Sequence, residues 1–397
     1  MTDSLELWNA PNRMLFGWGA ASEIGTYVEK FDAERPFVVT DEGVVQAGVL
    51  DPIRDAIEEA GADCEVWTGV QPDPTDRIVH DAADAYDAAD ADLIVGVGGG
   101  SSIDTAKAAS ILAANDGHIL EYTGSGNVPN QPPPSIYVPT TAGTGSEVGH
   151  WTIVKDTETD IKEEIGDVKL LADLALVDPE LTTSAPAPIK AATGMDVLTH
   201  AVEAYVSIKA QSQTSALAID SIEKVGANLP RAVEYRGGDR EALSEMARAS
   251  MQAGMAFNGA GLGAVHAISH QVGGMFGVPH GLANAIVLPY VMEYNLPQTP
   301  ELMVDIAEAL GEDVDRTKPA AVEGYKAVRA VCRLAASVRI PETLAETAAE
   351  REAVPQLAEQ ALEDGSLTGN PRATDVEDLE GILRNAFDGD LTYETRL

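Results

Sequence analysis

Over its first half the chain alternates short β-branched or apolar runs with longer amphipathic stretches. "RPFVVTD" (35–41), "CEVWTG" (64–69), "ADLIVGV" (91–97) and "SIYVPT" (135–140) read as strands. Between them, "GVVQAGVLDPIRDAIEEAGA", "TDRIVHDAADAYDAAD" and "SSIDTAKAASILAA" carry apolar residues at helical spacing. Alternation of this kind predicts a parallel sheet with helices on both faces. "TGSGNVPNQPPP" (123–134), rich in Gly, Asn and Pro, predicts a surface loop between the third and fourth strands.

The pattern changes after "LALVDPELTTSAPAP" (174–188). From "AATGMDVLTHAVEAYVS" onward, alanine-rich segments with 3.6-residue periodicity take over and strand signals nearly vanish. The boundary is expected at "SAPAPIK", within 184–190. This gives an α/β nucleotide-type (Rossmann-like) domain over 1–186 and an all-helical domain over 187–397.

Two loops in the first half invite a phosphate-bearing ligand. In "GVGGGSSIDTAK" (96–107) a strand hands over to a helix through Gly98, Gly99 and Gly100, which let the backbone come close to a ligand. The helix that follows offers unpaired N–H groups and a positive dipole end, with Ser101 or Ser102 to cap it or donate to phosphate. The stretch is neither the P-loop nor the GxGxxG fingerprint. "PTTAGTGSEV" (139–148) also follows a strand and sets Thr140, Thr141, Thr144 and Ser146 around two glycines, an uncharged lining that suits pyrophosphate or nicotinamide. Asp41, closing "RPFVVTD", is placed to accept from a ribose 2′-hydroxyl and repel a 2′-phosphate, favouring NAD over NADP. It is equally placed to cap the next helix.

The second half concentrates histidine. "HAISHQVGGMFGVPH" (266–280) holds three of the chain's seven. His266 and His270 are i and i+4, so they share a helical face, and His280 follows a turn. The HExxH protease motif is absent, since Ala267 follows the first histidine. Upstream, Asp196 and His200 in "GMDVLTHAVEAY" are also i and i+4. One carboxylate with several imidazoles is a ligand set for Fe²⁺, Zn²⁺ or Mn²⁺.

Composition narrows the partners. With 64 Asp+Glu against 26 Lys+Arg, the 397 residues carry a formal net charge of −38, which disfavours nucleic acid and anionic lipid. The acids are spread along the chain, as on proteins that work in concentrated salt, and a halophilic source is expected. "MTDSLELWNAPNRMLFGWG" is acidic and broken by Pro11, unlike a secretory leader, and no apolar run reaches membrane-spanning length. A cytoplasmic protein is the expectation. Cys64 and Cys332 form no CxxC pair and are expected to be small buried apolar residues.

Taken together, "GGGSSIDTAK" (98–107), "PTTAGTGSEV" (139–148), "ATGMDVLTHAVEAYVS" (192–207) and "HAISHQVGGMFGVPHGLANAIVLPYVMEYN" (266–295) resemble the iron-containing (group III) alcohol dehydrogenases. Order and spacing fit over almost the whole chain, including the late "GNPRATDVEDLEGIL". The resemblance implies a dehydroquinate synthase-like architecture, usually dimeric or larger. It implies Asp196, His200, His266 and His280 as ligands, with Fe²⁺ foremost, and His270 beside the metal near nicotinamide and substrate. It also places Asp104 and Lys162 among the NAD-contacting residues. "GHW" (149–151) and Gln271 depart from the family pattern, so His150, Trp151 and Gln271 bear on the pocket. The implied reaction interconverts a small uncharged primary alcohol or diol and its aldehyde by hydride transfer in the cleft between the domains, His270 relaying the proton. Glycerol dehydrogenase and maleylacetate reductase are the near alternatives, and a dehydroquinate synthase-type lyase a distant one. The anionic substrates of the last two need cationic side chains, and no Lys or Arg lies between Arg248 and Arg316.

Overall fold

A computed structural model describes residues 8–391 except 12, 160 and 235–238, so the first seven residues of the acidic opening stretch lie outside the described residues. The chain divides into two compact units, one spanning Asn9–Ala185 and the other beginning at Pro186. Trp8 belongs to the second, where its indole N–H donates to the Met255 carbonyl at 3.1 Å.

Among its described residues the first unit contains nine strands: β1 (Met14–Phe16), β2 (Pro36–Val39), β3 (Glu65–Trp67), β4 (Leu93–Gly98), β5 (Gly124–Ser125), β6 (Ser135–Pro139), β7 (Trp151–Lys155), β8 (Lys162–Gly166) and β9 (Leu174–Val177). Six of them form a sheet in the order β1-β9-β6-β4-β2-β3, parallel at every pairing. The whole of β4 is buried, which is why an unbroken apolar run, rather than an alternating one, encodes it. β5, β8 and β7 make a second small sheet in which β7 and β8 pair antiparallel. The stretch 123–134 is therefore a loop with one short strand in it. Among the described residues no strand follows β9, and no helix is long and apolar enough to cross a membrane.

Its helices are α1 (Ile24–Lys30), α2 (Glu42–Gln46), α3 (Asp51–Glu59), α4 (Asp76–Ala88) and α5 (Gly100–Leu112). The stretch expected as one helix over 43–62 is two. Gly48, at φ +69, turns the chain after α2, and Pro52 restarts it in the first turn of α3, where its missing N–H costs nothing. Cys64 is half-buried against the core, which pushes its thiol up to about 11.

α5 is buried nearly all round, between the large sheet and the hairpin β7–β8. In that setting Lys107 is wholly buried. Its ammonium donates to the carbonyls of Ser146 at 2.7 Å, Gly149 at 2.8 Å and Trp151 at 2.8 Å, with the Ser146 hydroxyl at 3.2 Å. Burial brings the lysine down to about 8, against the pull of Asp104 and Glu147. One side chain thus satisfies three carbonyls of the irregular segment that runs from the second hydroxyl loop into β7.

The second unit is helical: α6 (Ala187–Val206), α7 (Ser212–Glu234), α8 (Arg240–Ala260), α9 (Ala264–Phe276), α10 (His280–Asn295), α11 (Pro300–Ala309), α12 (Ala320–Ser337), α13 (Val354–Glu363) and α14 (Val376–Asp388). α6 is its central helix, packed on α7, α8 and α10. Close approach to α7 depends on Gly194, where an added Cβ would lie 2.3 Å from a Leu229 methyl.

Replacing Lys107 by Met keeps the apolar stem but leaves these carbonyls without their shared donor. We expect the unfolding free energy in denaturant titrations to fall by about 3 kcal/mol or more. A loss below about 0.5 kcal/mol, the usual surface value, would show that water replaces the ammonium at little cost.

Candidate functional site

On α6 three polar side chains recur at i, i+4 and i+7: Asp196, His200 and Glu203, all buried. That spacing keeps them on one face of the helix. α9 brings His266 and His270 to the same place, and Gly277, at φ +67, ends α9 so that His280 can open α10. α10 approaches α6 closely because Gly281 has no side chain; a Cβ there would lie 2.6 Å from the Ala192 carbonyl oxygen and 3.2 Å from the Cβ of Asp196.

The result is a convergence of acceptors. Asp196, His200, His266 and His280 each aim one ligand atom at a common point, all within 4.8 Å of one another. Asp196 Oδ1 lies 4.0 Å from His200 Nε2 and 3.8 Å from His280 Nε2. The rings of His200 and His266 stack at 4.7 Å, and those of His266 and His280 lie 5.2 Å apart. Burial, reinforced by the His200 and His270 neighbours, holds His266 well below the usual imidazole range. Three imidazoles and one carboxylate brought this close are a donor set for a divalent ion, and the residues present fit one.

Glu203 was not singled out from the sequence, although its position one turn past His200 was the available signal. Its Oε2 lies 2.5 Å from His266 Nδ1, and Oε1 accepts from the Val265 N–H at 2.7 Å. The Asn370 side chain takes the neighbouring Ala264 N–H at 3.3 Å. The start of α9, which has no cap of its own, is therefore capped from elsewhere in the unit. Burial pushes Glu203 up to about 7. With Nδ1–H committed to Glu203, His266 presents the Nε2 lone pair toward the ligand cluster.

His270 stands beside the cluster, stacked on His280 at 5.3 Å. Its Nδ1 lies 2.9 Å from Asp364 Oδ2, which also accepts from the Gln271 amide at 3.1 Å. Asp364 Oδ1 accepts from the Ser366 N–H at 2.9 Å. Burial raises Asp364, but the hydrogen bonds from His270 and Ser366 outweigh it and hold the carboxylate below its ordinary value. Gln271, the departure noted above, thus helps to fix the same acid that fixes His270.

In the α/β unit the two loops lie side by side because β4 and β6 are neighbours, and the Thr140 N–H donates to the Gly98 carbonyl at 2.9 Å. Two of the three glycines answer to packing. Gly98 sits at φ +149 with the Ser102 hydroxyl 2.3 Å from where a Cβ would be, and a Cβ on Gly100 would meet the Thr144 methyl at 2.8 Å. Gly99 differs: the nearest atom to its added Cβ is Thr141 Oγ1, at 3.6 Å. It is the N-cap of α5, and no side chain caps that helix. A Cβ there would make only ordinary van der Waals contact, and an uncapped helix start beyond the carboxyl ends of parallel strands is where such sheets take ligands.

Asp41 caps α2, Oδ1 accepting from the Val44 N–H at 3.0 Å, and its Oδ2 receives the Ser102 hydroxyl at 3.4 Å. The Ser101 carbonyl accepts from Thr105, and Thr144 Oγ1 accepts from the Ser146 N–H at 3.2 Å. Asp104 turns toward the second loop, accepting from the Ser146 hydroxyl at 2.7 Å, and burial raises its pKa. Lys162, on β8, pairs with Asp73 at 2.6 Å. His150 is brought down to about 4, first by burial and then by Lys107, and its ring lies 5.2 Å from that of Trp151. Trp151 itself packs over Gly166 across the hairpin.

Residues 11–179 match the model of iron-containing alcohol dehydrogenases, and residues 190–387 match that family's C-terminal model. The chain belongs to the iron-containing alcohol dehydrogenase family. It is 41% identical over 381 residues to a 1,3-propanediol dehydrogenase of Citrobacter freundii, covering 95% of this chain and 97% of the relative. To an NAD-dependent methanol dehydrogenase of Bacillus methanolicus it is 40% identical, covering 95% and 98% respectively. The crystal structure of a 1,3-propanediol oxidoreductase superposes with a TM-score of 0.95 at 39% identity, over 97% of this chain and 100% of that one. Like its family, this alcohol dehydrogenase is an oxidoreductase acting on CH–OH groups and interconverting alcohol and aldehyde.

The geometry separates the histidines by role. His266→Ala is expected to abolish retention of a divalent ion through gel filtration, whereas His270→Ala retains it; equal loss in both would contradict the assignment. Glu203→Gln offers only one accepting atom to two donors, so metal affinity by chelator competition is expected to fall about 10–100-fold.

Proposed function

We propose that this family member is an NAD-linked dehydrogenase of small primary alcohols or diols, with Fe²⁺ held by Asp196, His200, His266 and His280. The observation that carries the reading is that one carboxylate and three imidazoles, three of the four residues buried, bring their ligand atoms within 4.8 Å of one another in the helical unit. The activities for which the relatives are named, on 1,3-propanediol and methanol, support a short uncharged substrate. The absence of Lys and Arg between Arg248 and Arg316 supports it independently, since an acid substrate would find no cation on α9 or α10.

A divalent ion there would supply Lewis acidity to an alcohol or carbonyl oxygen, and a bound nicotinamide would accept or return the hydride. The protein's own part is electrostatic and geometric. With one carboxylate against a divalent charge, the loaded centre would keep net positive charge and would favour an alkoxide over an alcohol. Glu203 and Asp364 fix the rings of His266 and His270, and His270 relays the substrate proton at Nε2 while Asp364 holds Nδ1. In the α/β unit Gly99, Gly100, Ser101 and the hydroxyls of Thr140, Thr141 and Thr144 receive the pyrophosphate and nicotinamide of NAD, with Asp104 and Lys162 alongside. Asp41 faces the ribose and disfavours a 2′-phosphate. We assign the protein to the cytoplasm, as a homodimer or larger homo-oligomer. Its −38 net charge fits a surface adapted to concentrated salt, where screening relieves self-repulsion.

The test is a rate screen after chelation and reloading with Fe²⁺, Zn²⁺ or Mn²⁺, across methanol, 1,3-propanediol, glycerol and a dicarboxylate, with NAD⁺ or NADP⁺, from dilute to molar salt. Metal-restored, NAD-linked oxidation of the uncharged alcohols, rising with salt, is the expected outcome. Turnover of the dicarboxylate alone would overturn the assignment.

A further inference from the structure

The ligand cluster contains a fifth polar side chain that no role above uses. Asn284 lies one turn after His280 on α10 and is completely buried. Its amide nitrogen is 2.7 Å from Asp196 Oδ1, 3.1 Å from His266 Nε2 and 3.1 Å from His280 Nε2. Three of the four converging ligand atoms therefore share one amide group as neighbour. The amide oxygen, also buried, has no hydrogen-bond partner.

Two facts stand out chemically. An amide N–H₂ has two protons and cannot satisfy three acceptors, so the arrangement stays short of donors. At the same time a buried amide oxygen without a partner costs on the order of 1–3 kcal/mol, a burden that native interiors rarely carry without an ion or water to relieve it. A half-turn about the last side-chain bond exchanges the two atoms. It would put the oxygen at 2.7–3.1 Å from the same three ligand atoms. Neighbouring donors around an ion with bonds of about 2.1 Å stand about 3.0 Å apart when they meet at right angles.

We propose that Asn284 is a fifth member of the metal centre. Through Nδ2 it holds the ligand set together before an ion arrives, and through Oδ1 it turns an oxygen toward the ion once bound. The inference rests on the metal reading above and deepens it: an added oxygen donor shifts a four-ligand nitrogen-rich set, suited to Zn²⁺, toward the higher coordination that Fe²⁺ and Mn²⁺ accept.

Two variants separate the two roles. Asn284→Ala removes donor and oxygen together; Asn284→Asp keeps an oxygen but loses the donor and sets a second carboxylate beside Asp196. Each is compared with wild type by chelator competition for Co²⁺ and Zn²⁺, by the visible spectrum of the Co²⁺ form, and by the thermal midpoint of the metal-free protein. The expected results are an affinity about 10–100-fold weaker in the Ala variant, affinity retained or raised in the Asp variant, and a lower metal-free midpoint in both. The Co²⁺ band should intensify in the Ala variant as a ligand is lost. Wild-type affinity and midpoint in the Ala variant would overturn the inference, as would equal affinity loss in both variants. A wild-type protein that holds no ion at all would instead overturn the metal reading itself.

Discussion

A carboxylate oxygen and three imidazole nitrogens within 4.8 Å of one another present lone pairs that a cation or a hydrogen-bond donor must satisfy. Holding them together without a covalent cross-link falls to helix packing. α6 supplies two of the converging side chains at i and i+4, and α9 and α10 supply one each from either side of a left-handed turn at Gly277. Around them stands a shell of groups whose work is to keep lone pairs pointed inward: Glu203 on one imidazole, Asp364 on the neighbouring His270, Asn370 at the start of α9. Each of these also satisfies or ties down backbone that would otherwise be left open in the interior, so orientation of the ligands and stability of the helix starts come from the same atoms.

The α/β unit treats buried charge in a similar way. Lys107 meets three carbonyls, and Asp178 accepts from the N–H groups of Gly19, Ala21 and Glu180. In both units an interior charge acts as a hub for backbone groups in irregular segments, where no ladder is available. The abundant surface acids have a different job. They lie mostly outward, in solvent, and their effect is collective rather than pairwise.

Much of the fold could be read from periodicity because β2, β3, β4 and β6 are bounded by turn residues and separated by long amphipathic helices. β1 and β9 escaped notice at three and four residues each, too short for a period to register. The hairpin β7–β8 was hidden for another reason: its partner strand "KEEIG" is polar, and pairing with Trp151–Lys155, not composition, makes it a strand. In the candidate site, spacing revealed residues that lie close along one helix, such as Asp196 with His200. It was silent on Asp364, which meets His270 from 94 positions away. Asn284 and Glu203 carried a spacing signal, but an amide and an acid on alanine-rich helices resemble ordinary polar positions until their burial is known.

Gly281 carries no functional group, yet it sets the bite of the centre. It lets α10 rest against the Ala192 carbonyl, and the side chains on either side of it along that helix, His280 and Asn284, inherit their reach from that contact. A single methyl there would lever the helix start outward and widen the gap between two of the four grips. Selection on the spacing of these four side chains can therefore act through a position that carries none of them.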